Sequence, residues 1–167
     1  MNNEKETILD DYAFLVSQTD AKGHIIFANS DFCKVAEFSV DELIGKPHNV
    51  VRHPDMPKVA FQDLWDTVKS GKVWTGYVKN ATKSGGFYWV YATVYPSIGD
   101  EGETNYLSCR RKASTKEIEE ITKLYKKWNN EKWKTITTIE YKKIVISYLS
   151  KILFTRSRRI NYFMIFY

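Results

Sequence analysis

The 167 residues suffice for one domain and an appendage, which excludes a large multidomain assembly. Hydrophobic residues make up 43% of the chain, enough for a core, and aromatics make up 15%. The net charge of +5 is uneven. Residues 1–112 are slightly acidic and residues 113–167 strongly basic, which argues against a nucleic-acid-binding body and for a tail that meets an anionic or apolar surface.

The chain opens on a polar stretch, Met1 to Glu6, with no apolar run behind it, so no signal peptide is read and a cytoplasmic setting is expected. No apolar stretch approaches the length needed to span a bilayer. Ala13 to Thr19 reads as a short strand, Asp20-Ala21-Lys22-Gly23 as a turn, and His24 to Ala28 as a second strand, which together make a hairpin. Asn29-Ser30 then starts a helix, with Phe32, Val35 and Ala36 at helical spacing. Ser39-Val40-Asp41-Glu42 is a capping-box pattern opening a short helix that stops at Gly45. Lys58 to Lys69 repeats apolar residues at three- and four-residue intervals and ends before Gly71.

Three strands follow: Val73 to Ala81, Phe87 to Tyr95 and Tyr106 to Lys112. Ser84-Gly85-Gly86 turns the first into the second, and Gly99 to Glu103 is a polar loop. Both faces of the second strand are apolar or aromatic, so both are expected to be covered. Ser114-Thr115 caps a final helix. The order is not a βαβ alternation, and it predicts an α+β fold with an antiparallel sheet and helices on one side. A small sheet of that kind with a helical cover commonly encloses a ligand pocket. Cys33 and Cys109 form no Cys-x-x-Cys pair, so no metal site of that type is indicated and free thiols are expected.

The most concentrated chemistry lies in Pro47-His48-Asn49-Val50-Val51-Arg52-His53-Pro54-Asp55-Met56-Pro57. Three prolines favour turns and extended backbone, so this is a rigid loop or a single helical turn. Groups held on such a loop by a scaffold are commonly binding groups. Trp65, Trp74 and Asn80 follow in the neighbouring elements. Taken alone, the two tryptophans read more readily as core aromatics than as ligand contacts, and Asn80 reads as a turn residue that closes the strand end. His24, beside the first turn, is expected to be exposed. No nucleophile beside a base, phosphate-binding glycine loop or carboxylate pair suggests an enzyme.

This combination resembles the PAS sensory fold. The loop, together with Phe61, Trp65, Trp74-Thr75-Gly76 and Lys79-Asn80, resembles its flavin-binding branch found in bacterial aerotaxis and energy-taxis receptors. The resemblance runs from about Leu9 to Lys127. It implies a five-stranded antiparallel sheet with short helices on one face. The expected division is an N-terminal cap over residues 1–12, a PAS sensor domain over 13–112, and a helical, basic and apolar tail over 113–167, whose part beyond about Asn130 lies outside the resemblance. Most aerotaxis receptors carry a membrane anchor and signalling module on the same chain. Neither is read here, so the chain looks most like a stand-alone PAS partner in a two-protein energy-taxis system (the CetB type).

The resemblance implies FAD as cofactor. Trp65 and Trp74 would supply flat faces for the ring, and Asn80 a donor and an acceptor for its polar edge. Arg52 and His53 would meet the diphosphate, and Asp55 a ribose hydroxyl or Arg52 itself. Asn29 matches a family position near the cofactor. His48 is counted with this set and is equally able to cap the short helix.

The expected function is a non-enzymatic redox or oxygen sensor. Its expected partner is a membrane-bound chemoreceptor, with a PAS homodimer also allowed. The basic, apolar tail suggests peripheral contact with the inner membrane. The competing readings are a haem gas sensor with His48 or His53 as axial ligand, a cofactor-free adaptor, and a blue-light sensor, for which the loop lacks the required Cys.

Overall fold

The computed structural model describes residues 4–130. The tail expected after Asn130 lies outside the described residues. Five strands form one antiparallel sheet in the order β2-β1-β5-β4-β3. The strands are β1 (Leu15–Asp20), β2 (Ile25–Ala28), β3 (Trp74–Ala81), β4 (Phe87–Ile98) and β5 (Thr104–Lys112). Between β2 and β3 lie α1 (Ser30–Ala36), α2 (Val40–Leu43), a 3-10 turn (His48–Val51) and α3 (Lys58–Lys69), and α4 (Thr115–Asn130) follows β5.

The capping box forms as expected: Ser39 Oγ accepts from the Glu42 amide, and the Glu42 carboxylate accepts from the Ser39 amide. Several strand limits differ from the sequence reading by one to three residues, and the start of β1 and the end of β4 have identifiable causes. β1 begins at Leu15 because the Ala13 amide bonds back to Asp10 and the Phe14 amide is taken by Asp31. β4 runs past Pro96 to Ile98. Its pairing with β3 starts only at Val94, so Pro96 lies on a locally free edge, where a missing N–H costs little.

Side chains alternate between the two faces of the sheet. On the inner face stand Leu15, Ser17, Trp74, Val78, Tyr88, Val90, Tyr106 and Arg110, covered by α1, the 3-10 turn and α3. The outer face of β3 and β4 carries Tyr77, Trp89 and Tyr91, and α4 covers it. Trp89 stacks on Tyr125 at 6.2 Å, and Tyr125 Oη donates to the Tyr77 carbonyl at 2.7 Å. The two aromatic faces of β4 are thus both covered, by helices on opposite sides.

The N-terminal residues add a short strap. The Phe87 amide donates to Lys5 O at 3.0 Å, and the Thr7 amide donates to Phe87 O at 2.7 Å. A Cβ on Gly86 would lie 2.5 Å from Lys5 O, so this close approach requires glycine.

Candidate functional site

Between the inner sheet face and its helical cover lies a cavity of about 610 Å³. That volume falls within the range of small-molecule and cofactor sites. Trp74 lies flat along β3 because residue 76 is glycine: a Cβ there would sit 2.4 Å from Trp74 Cη2. Its indole N–H donates to Asp63 Oδ2 of α3 at 2.8 Å, which fixes the ring. Trp65 of α3 packs its ring edge-to-face with Tyr106 of β5 at 5.4 Å, and the Gly23 turn comes close to its Cη2 and Cζ2. Two tryptophans on rigid elements therefore frame the space.

The polar wall is built around Arg110. It is only 4% exposed, and no carboxylate pairs with it among the described residues. Its Nη2 donates to Ser17 Oγ at 2.9 Å and to His48 Nε2 at 2.7 Å. A guanidinium cannot accept, so His48 Nε2 is the acceptor and the ring proton sits on Nδ1. Burial, reinforced by the adjacent Arg110 charge, pulls the His48 imidazole down to about 3, so the ring is neutral at physiological pH. Burial also lowers Arg110 to about 10, which still leaves it charged. Phe32 stacks on His48 and underlies the guanidinium.

Two buried donors in this wall lack a partner: Arg110 Nη1 and Asn80 Nδ2. Burial pushes the Tyr88 phenol well above its ordinary value, only partly opposed by Arg110 and the nearby Asn80 amide, and no well-aligned bond joins Asn80 to Tyr88. Unpaired buried donors are costly, and a ligand acceptor would relieve them. At the open side, Lys22, Arg52 and Lys69 line the cavity, a basic margin suited to phosphate. The Arg52 guanidinium lies 4.0 Å over the Phe61 ring, and the Arg52 backbone bridges to Asn80.

Of the residues singled out from sequence, His48, Arg52, Trp65, Trp74 and Asn80 line this one cavity. Asn29, His53 and Asp55 do not. Asn29 caps α1: its Oδ1 accepts from the Phe32 and Val16 amides, and its Nδ2 donates to Phe14 O. The His53 ring, 3% exposed, turns toward the outer side and meets Glu4 Oε2 at 3.0 Å. Asp55 pairs with Lys79 at 2.6 Å, which holds its carboxyl below the usual range. His24 is part-exposed and bonds Asp20. Arg110, Tyr106, Lys22 and Lys69 were not singled out. The signal for Arg110 was its phase: with Tyr106 and Ser108 it occupies the face of β5 that meets the cavity, whereas Arg111 on the opposite face is exposed.

The sequence and fold can be set beside known proteins. The model of the PAS fold family matches residues 25–111, more than half of the chain. This chain belongs to the PAS family. The chain is 44% identical over 126 residues to the aerotaxis receptor of Escherichia coli, covering 75% of this chain. It is 28% identical over 109 residues to the nitrogen fixation regulatory protein of Klebsiella oxytoca, covering 65% of this chain. The chain spans only 25% and 22% of those relatives' lengths. Among solved structures, the light-state blue-light photoreceptor Aureochrome1 LOV superposes with a TM-score of 0.56 at 20% identity. That match covers 70% of this chain and 91% of that one, and it bears on fold alone. The PAS domain therefore has relatives in signalling, and its fold is shared with light-sensing domains.

Proposed function

We propose that this PAS protein binds FAD in the cavity and serves as a redox or oxygen sensor that signals to a separate membrane-bound chemoreceptor in energy taxis. The observation that carries the reading is the pairing of Arg110 Nη1 and Asn80 Nδ2, two unpartnered buried donors, inside a tryptophan-framed slot. An isoalloxazine has a flat apolar body and an edge of carbonyl oxygens and ring nitrogens, which suits that wall. The basic margin at Lys22, Arg52 and Lys69 suits a diphosphate. A flavin supplies a redox centre whose ring charge follows its oxidation state. This chain's residues would hold the ring, keep water from it and keep a fixed positive charge at its edge. Similarity to the aerotaxis receptor supports the taxis role.

The alternatives find less support. His48 Nε2 is already engaged by Arg110, and His53 faces away from the cavity, so neither offers a free axial nitrogen to a haem. Neither Cys33 nor Cys109 lines the cavity, where cysteinyl photochemistry would need a thiol.

The purified protein is expected to be yellow, to bleach with dithionite, and to release FAD on denaturation. A Soret band would overturn the flavin reading, as would a colourless protein after expression with ample riboflavin. Release of FMN would overturn the diphosphate assignment only.

A further inference from the structure

His53 and Asp55 lie within the loop that supplies Arg52, yet neither reaches the cavity. Their partners are elsewhere. His53 Nδ1 accepts from the Asp55 amide at 3.1 Å, so Nε2 carries the proton that meets Glu4. Lys79 reaches Asp55 at 2.6 Å and Glu4 at 3.8 Å, and sits 4.2 Å over the Phe87 ring. Phe87 in turn holds the strap through Lys5 and Thr7. Asn129, at the end of α4, donates to the Asp55 carbonyl at 2.7 Å.

Two adjacent residue pairs then stand back to back. Arg52 and Asn80 form a backbone bridge and line the cavity. Their chain neighbours, His53 and Lys79, point the other way and fasten the strap. We propose that His53, Asp55, Lys79 and Glu4 are positioning residues for the cavity. They fasten residues 4–7 to the reverse side of the bridge that carries Arg52 and Asn80, so that strap docking and cavity binding strengthen one another. The coupling is reciprocal: a ligand that fixes Arg52 and Asn80 also holds the strap, and a docked strap tightens the ligand. The inference rests on FAD as the ligand only for its affinity arm.

The test uses the full chain with Glu4→Ala, Glu4→Gln and Gly86→Ala, none of which alters a cavity-lining residue. Hydrogen exchange is followed over residues 5–8 and 50–56, with FAD affinity measured alongside, and circular dichroism confirms the fold. Glu4→Ala and Gly86→Ala should speed exchange in both segments and weaken FAD by about fivefold or more. Glu4→Gln, which still offers an oxygen to His53 Nε2, should recover most of the affinity; a merely destabilising role would not separate the two Glu4 variants. In the unaltered protein FAD should slow exchange over residues 5–8. Faster exchange at the strap with residues 50–56 unchanged would overturn the inference even without a ligand. So would an unchanged FAD affinity once the strap has opened. Failure of the unaltered protein to bind FAD would instead overturn the flavin reading, and the ligand-free exchange would still judge the coupling.

Discussion

A methyl group at Gly76 would lie 2.4 Å from Trp74 Cη2 and 2.5 Å from its Cζ2, closer than any real contact. The indole cannot yield easily, because Asp63 holds its N–H. Gly76→Ala is therefore expected to cost about 1–3 kcal/mol of stability, as overpacking does, and to lower flavin content. Urea unfolding and bound-flavin absorbance measure the two effects. The Trp-Thr-Gly run is visible in the sequence, but the reason for its glycine is not, since only the strand geometry puts the ring over residue 76.

His48 supplies a second prediction at this scale. Its folded value is about 3 and an unfolded histidine titrates near 6.5. Above that both states are neutral and stability is complete. As pH falls from 6.5, the unfolded chain takes up a proton that the folded ring refuses, so stability is lost. The slope from this group reaches at most about 1.4 kcal/mol per pH unit. Urea midpoints at pH 7 and pH 5 should drop for the unaltered protein and drop less for His48→Gln. An equal drop in both would remove His48 from the acid response.

Among the elements, α1 is capped and tied to the β1 segment by one side chain. Asn29 satisfies the Phe32 amide inside the helix and ties Val16 and Phe14 of the β1 segment to it. Asn29→Ala should lower stability by about 0.5–2 kcal/mol, as loss of a cap does, while saturating FAD binding remains. Loss of FAD from a folded Asn29→Ala protein would give this residue a direct part in the site. The helix start was legible because a cap is a local matter of Asn followed by a turn. The ends of α3 were legible for the same reason, with apolar spacing and a glycine stop. The lower edge of β1 was not, because Asp31, sixteen residues beyond Leu15, takes an amide there. Likewise the loop's outward half was hidden. The sequence puts Arg52, His53 and Asp55 side by side, and only the bridge to Asn80 decides which face each one meets.

For the whole molecule, charge and fold point in different directions along the chain. The PAS body is slightly acidic, whereas the sequence after it is basic and rich in apolar residues. Among the described residues no helix is long and apolar enough to cross a membrane. We propose that residues 131–167 help to place the sensor beside a membrane-bound receptor, each basic residue near an anionic leaflet contributing about 1 kcal/mol. Truncation after Asn130 should retain flavin binding and reduce recovery with receptor-containing membranes, most visibly at high salt. Equal recovery of the full and shortened chains would remove the tail from that role, and recovery independent of the receptor would sink the partnership.

The strand order has a kinetic consequence. β1 pairs along its length with β5, Leu15 opposite Arg110 and Asp20 opposite Asn105, so the middle of the sheet joins residues some ninety positions apart. A ribosome must have delivered β5 before β1 gains its central neighbour, and closing so long a loop is slow. Tyr106, Ser108 and Arg110 arrive on that same strand. The cavity is thus among the last features to exist as the chain is made, and a cofactor meets either a finished wall or none.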